Sequence, residues 1–98
     1  MSGYTKGPWE FHEDDGEDNQ IVVGDNGDVI CVVGSYMTSV EEDFANGPLI
    51  AAAPELLEAL QEMVAIVKKN TYPQPEKPSS TWGRMEAAES VIAKALGQ

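Results

Sequence analysis

The strongest constraint on this chain is a change of period along its length. Up to Val33 the apolar residues alternate at Trp9 to His12 and then gather in short β-rich runs, and from Leu49 onward they recur every third or fourth position. Trp9-Glu10-Phe11-His12 alternates large apolar with polar side chains, as a half-buried strand does. An acidic loop, Glu13 to Asn19, leads to a second β-rich run, Gln20 to Val23. In Gly24-Asp25-Asn26-Gly27-Asp28 the Asn-Gly pair supplies the positive φ of a tight hairpin turn. Val29-Ile30-Cys31-Val32-Val33 is the third run, closed by Gly34. Short links between three strands predict an antiparallel meander over 9–34.

The second half reads as helix. Ser39 and Glu42 have the spacing of a capping box, which predicts a short helical turn as far as Phe44. Asn46-Gly47-Pro48 interrupts it, with Asn46 as an N-cap and Pro48 opening a helix over 48–69, where its missing N–H is not needed. Leu56, Leu57, Leu60, Met63, Val64 and Val67 fall on one face at 3.6-residue spacing. Glu55 and Glu58 at the start, and Lys68 and Lys69 at the end, complement the helix dipole. Pro54 either kinks this helix or divides it. Asn70 to Ser79 holds Pro73, Pro75 and Pro78 and reads as a stiff extended loop. A last helix over 81–96 follows, with Met85, Ala88, Val91, Ile92, Ala95 and Leu96 as its apolar stripe. The expected fold is α+β: an N-terminal three-stranded antiparallel β-meander followed by a C-terminal antiparallel helical hairpin, as a single domain over 1–98. A chain this short has a thin core, so the expected state is a homo-oligomer that packs through its helices.

Charge narrows the function. Seventeen acidic against six basic side chains leave a net charge of −11. That excludes direct DNA binding and adhesion to an anionic membrane, both of which rest on neutralising phosphate. It fits solubility, or attraction to a basic protein surface. Cys31 is the sole cysteine, so no intrachain disulfide is available and a reducing compartment is expected. Met1 to Pro8 lacks the apolar core of a signal peptide, and no apolar run reaches the ~20 residues that span a bilayer. The expected location is cytoplasmic.

No catalytic constellation emerges. His12, the only histidine, stands among carboxylates on the solvent face of the first strand, while Cys31 belongs to an apolar strand. G-x-S-x-G, H-E-x-x-H, P-loop and paired-cysteine zinc spacings are all missing, so neither cofactor nor metal is expected. The run Asp14 to Asn19 has the acids of a calcium loop, but Val22 stands where its bidentate Glu belongs. Ser79-Ser80-Thr81-Trp82-Gly83-Arg84 is the most site-like segment. Ser80 or Thr81 can cap the last helix, whose first N–H groups cradle phosphate. Trp82 offers a stacking face, and Arg84, the only arginine, offers a planar fork for phosphate. A capped helix with a packed Trp and an exposed Arg would look the same. Asn46 is either an N-cap or a ligand amide.

Gly7-Pro8-Trp9-Glu10, then Ala45-Asn46-Gly47-Pro48-Leu49-Ile50-Ala51-Ala52-Ala53-Pro54-Glu55-Leu56-Leu57-Glu58-Ala59-Leu60, then Ile92-Ala93-Lys94-Ala95-Leu96-Gly97 resemble a widespread group of small phage and prophage proteins. The group's pattern is roughly GPW, ANARLIAAAPELLEAL and AIAKA-G. Gly47-Pro48 replaces its Ala-Arg, so a basic residue of the group is missing here. The resemblance implies phage origin and action inside an infected bacterium, without fixing one activity. In outline, a sheet followed by two long helices is similar to the Thoeris anti-defence sponge proteins, which sequester cyclic ADP-ribose-type signals and cyclic oligonucleotides as symmetric oligomers. None of their ligand residues carries over.

Two readings follow. In the first, the chain is a non-enzymatic anti-defence protein that holds a cyclic nucleotide immune signal between subunits. Trp82 stacks on the base, Arg84 with Ser80 and Thr81 at the helix start holds phosphate, and Asn46 reads base or ribose. In the second, the acids between Glu10 and Asp28 mimic a DNA backbone and block a basic defence nuclease, as an anti-CRISPR protein does. A phage accessory protein with a structural or regulatory role is the third expectation.

Overall fold

The computed structural model describes residues 3–17, 19–34 and 37–98. Its elements in order are β1 (Glu10–His12), β2 (Gln20–Val23), β3 (Val29–Val33), α1 (Val40–Ala51), α2 (Ala53–Asn70) and α3 (Thr81–Ala95). The fold is α+β, with the expected antiparallel meander in the order β1-β2-β3. The chain divides into two compact units, Met1–Glu55 and Leu56–Gln98, and α2 passes from one into the other.

In the first unit, register puts Phe11 opposite Val22 and Val22 opposite Cys31. Side chains alternate across a strand, so these three share one face. Val22, Val33 and Ala51 form the core there, with Trp9, Phe11, Cys31 and Ile50 packed around it. The β2–β3 turn closes as expected. Gly27 takes φ 85°, and the Asn26 side-chain oxygen accepts from Asp28 N at 3.0 Å. A bulge between Val22 and Val23 absorbs one residue of β3.

The helices depart from expectation at one place. Asn46-Gly47-Pro48 does not interrupt the chain but lies inside α1, which is continuous from Val40 to Ala51. The N-cap is Ser39, not Asn46, and Pro48 does not open a helix. An interior proline costs about 3 kcal/mol, and two features offset it. A complete capping box joins Ser39 and Glu42: Glu42 N donates to Ser39 Oγ at 3.1 Å, and Ser39 N donates to Glu42 Oε1 at 3.0 Å. Gly47 faces the sheet with no side chain, and a Cβ there would overlap the Phe11 ring. The bare surface at Gly47 therefore lets the helix settle directly on that ring. The predicted helix over 48–69 is in fact divided at Ala52, the C-cap of α1, and Pro54 sits in the first turn of α2, where proline is tolerated. Pro54 is buried against Gly7, with only 2.9 Å between its Cβ and a Cβ built at Gly7.

The cap carries a pH prediction. The Ser39 N–H bonded to Glu42 holds its carboxyl below the ordinary value of 4.5. A depressed carboxyl stabilises the fold above its unfolded pKa and stops doing so as pH falls through its folded one. Thermal stability of the native chain and of Glu42→Gln is therefore expected to differ least at the acid end, with the advantage of Glu42 growing as pH rises toward 4.5 and level above it. Parallel acid melts of the two chains would contradict this.

The second unit holds the rest of α2, α3 and the connection between them, compatible with a helical hairpin. The connection is not extended throughout: Lys77 N bonds Gln74 O and Ser80 N bonds Lys77 O, each at 3.0 Å, forming successive turns. Lys68 Nζ and Glu89 Oε2 pair at 3.4 Å across the two helices. The helical face predicted on α2 splits in two. Leu57, Leu60, Val64 and Val67 are half-buried, whereas Leu56 and Met63 are exposed. Met85, on α3, is the only buried apolar side chain among the described residues of this unit.

Candidate functional site

The start of α3 is built by three local interactions. Ser80 is the N-cap, and its Oγ accepts from Gly83 N at 3.1 Å. Gly83 lies so close to Pro78 that a Cβ would overlap the Pro78 carbonyl. Arg84 Nε donates to Ser79 O at 3.1 Å, and the side chain is exposed. No salt bridge to Arg84 occurs among the described residues. The first turn of α3 carries no acid, whereas that of α1 carries Glu41, Glu42 and Asp43. The partial positive charge at the start of α3 is therefore left without a carboxylate.

Beside this turn lies a groove of about 240 Å³ lined by Leu60, Met63, Val64, Val67, Thr81, Arg84, Met85 and Ala88. Its floor is aliphatic, with Thr81 and Arg84 as its polar members. Pockets for drug-sized ligands start near ~300 Å³. This groove falls below that size.

Of the five residues singled out by sequence, Thr81 and Arg84 line the groove, and Ser80 caps the helix that supports them. Trp82 is half-buried and is not part of the lining. Asn46 belongs to α1 in the other unit, exposed and in mid-helix. The aliphatic walls on α2 were read from sequence only as a core stripe; period 3.6 reveals an apolar face but not the gap left along it.

The other candidates resolve locally. His12 is exposed, 3.8 Å from Glu10 Oε1, and alternation places it on the sheet face opposite to Phe11 and Cys31. In the β1–β2 loop, Asp15 Oδ1 accepts from Glu17 N at 2.8 Å and Asn19 N at 3.2 Å, while Oδ2 accepts from Asn19 Nδ2 at 3.2 Å. The bond from Glu17 N is the main cause of a lowered Asp15 pKa. That carboxylate closes the loop on itself, using the oxygens a calcium ion would need. A meander puts successive turns at opposite ends of the middle strand. Glu13, Asp14, Asp15 and Glu17 therefore lie at one end and Asp25 and Asp28 at the other, so these acids form two groups instead of one surface. Asp18 lies outside the described residues. Among those described, no helix is long and apolar enough to cross a membrane.

Fold and groove together define a small α+β protein with an apolar groove beside a capped helix start. A protein-family model described as Salmonella phage P22 protein Y8K6 matches residues 1–98, and the chain belongs to that family. It is thus a phage-type protein, as the GPW and LIAAAPELLEAL segments implied. No curated protein and no solved structure matches the chain.

Proposed function

We propose that this is a non-enzymatic phage anti-defence protein that sequesters a cyclic nucleotide signal in the cytoplasm of the infected bacterium. One observation carries the reading: in a chain of net charge −11, the only arginine borders an apolar groove at a helix start without acids. A nucleobase would lie against Leu60, Val64 and Met85. Its phosphate would take the terminal nitrogens of Arg84 and the first N–H groups of α3, held in place by the Ser80 cap. Trp82 and Asn46 take no part in this version of the site. Sequestration needs tight binding and slow release, with no bond made or broken.

The acidic-inhibitor reading is supported by the exposed carboxylates of Glu13, Asp14, Asp15 and Glu17. A basic partner would meet one end of the sheet, since the acids of the two turns are separated. Calorimetry with cyclic di- and trinucleotides and cyclic ADP-ribose isomers divides the two readings. Binding to one member of the panel is expected, and Arg84→Ala, an exposed substitution, should weaken it by about 1.5–3 kcal/mol, the range for a charged hydrogen bond. Silence across the whole panel would remove the sponge and leave the inhibitor.

A further inference from the structure

The second helix has more apolar surface than its own unit covers. At 3.6 residues per turn, Leu57, Leu60, Val64 and Val67 form one stripe, and Leu56, Ala59, Met63 and Ile66 form a second, centred roughly 100° away. The first stripe is half-buried. The second is open: Leu56, Met63 and Ile66 expose 53%, 57% and 54% of their surface. Its spacing of three, four and three residues is that of a two-helix seam. From Glu55 to Asn70 the remainder of the helix is polar apart from Ala65, so the second stripe is a defined face and not scattered surface apolarity. The unit itself buries only Met85 among its described apolar side chains, and a unit this small buries a modest share of its surface, so covering a further apolar face would add to its stability.

We propose that this stripe is a homodimer seam, on which the same stripe of a second copy docks antiparallel. Charge selects both the occupant and the direction. The N-terminal half of α2 carries Glu55, Glu58 and Glu62, and its last turn carries Lys68 and Lys69. A parallel mate would set each glutamate beside its own counterpart. An antiparallel mate centred on Gln61 sets Leu56 against Ile66 of the second copy and Ala59 against Met63. It also brings Glu55 of each copy to Lys69 of the other. Glu62 faces its own counterpart near the two-fold axis, one repulsive pair against two attractive ones. Met63 borders both this stripe and the groove, but the inference does not require the ligand reading, and the two residues substituted to test it, Leu56 and Ile66, do not line the groove.

Sedimentation equilibrium of the full chain at about 0.15 M salt, where the Debye length is about 8 Å, tests it. The expected mass is twice 10.6 kDa. Leu56→Ser with Ile66→Ser should raise the dimer dissociation constant at least ~100-fold, about 2.8 kcal/mol at 1.4 kcal/mol per tenfold, with helicity by circular dichroism unchanged. Both positions are exposed in the single chain, so the variant folds if the chain does. Glu55→Lys alone should weaken the dimer several-fold, and adding Lys69→Glu should restore it. A monomeric native chain, a dimer indifferent to the serine pair, or a charge swap without recovery would each overturn the proposal.

Discussion

Met85→Ala is expected to lower the unfolding free energy of the second unit by about 2–5 kcal/mol, the range for methionine-to-alanine changes in a core. Met85 is 5% exposed and is the unit's only buried apolar side chain among the described residues, so no second side chain shares its role. Stabilities of small domains start near ~5 kcal/mol, and a loss of this size removes much of the total. Helical signal from α2 and α3 should therefore melt before that of the first unit, in urea or on heating. Met85 also forms part of the groove, so ligand binding should fall in the same variant. A midpoint unchanged within error would mean that the two helices are held by something other than this side chain.

Gly47→Ala carries the second large effect. Alanine is the better helix former by about 1 kcal/mol, so local propensity alone predicts a gain. The structure predicts a loss of about 1–3 kcal/mol, the usual cost of overpacking, because the new methyl group would overlap the Phe11 ring. The ring has little freedom to yield: it meets Phe44 edge-on, with centroids 6.4 Å apart and planes at 87°, and packs against the core. Adding Phe11→Leu should recover part of the loss, giving a coupling energy between the two sites. If Gly47→Ala raised stability instead, α1 would not lie on Phe11 as described.

These two cases show what a sequence can carry. The three strands were legible because alternation and an Asn-Gly turn are local signals, and β2 and β3 have the bounds the apolar runs suggested. The start of α3 was legible for the same reason, through Ser80 and its capping hydroxyl. The course of α1 was not. Asn46-Gly47-Pro48 has every local mark of a break, and the compensation comes from a ring on β1 far away in the chain. The true break, at Ala52, lies two residues before Pro54, which marked a kink or a division in the sequence without fixing which. At the site, Arg84, Ser80 and Thr81 were visible as residue types at a helix start. Trp82 looked equally apt, but the cavity beside that turn is walled by α2, and which side chains border it depends on how the helices meet. Neither its walls nor the second stripe of α2 could be separated from an ordinary core face by period alone.

The account rests on capture without chemistry at the groove beside Arg84. Its most direct test is recovery of the ligand. The purified protein is incubated with the bound member of the cyclic nucleotide panel, freed of excess, denatured by heat, and the released small molecule is weighed and quantified. Intact ligand in stoichiometric amount is the predicted result. Release of a cleaved or altered nucleotide, or none at all, would contradict it.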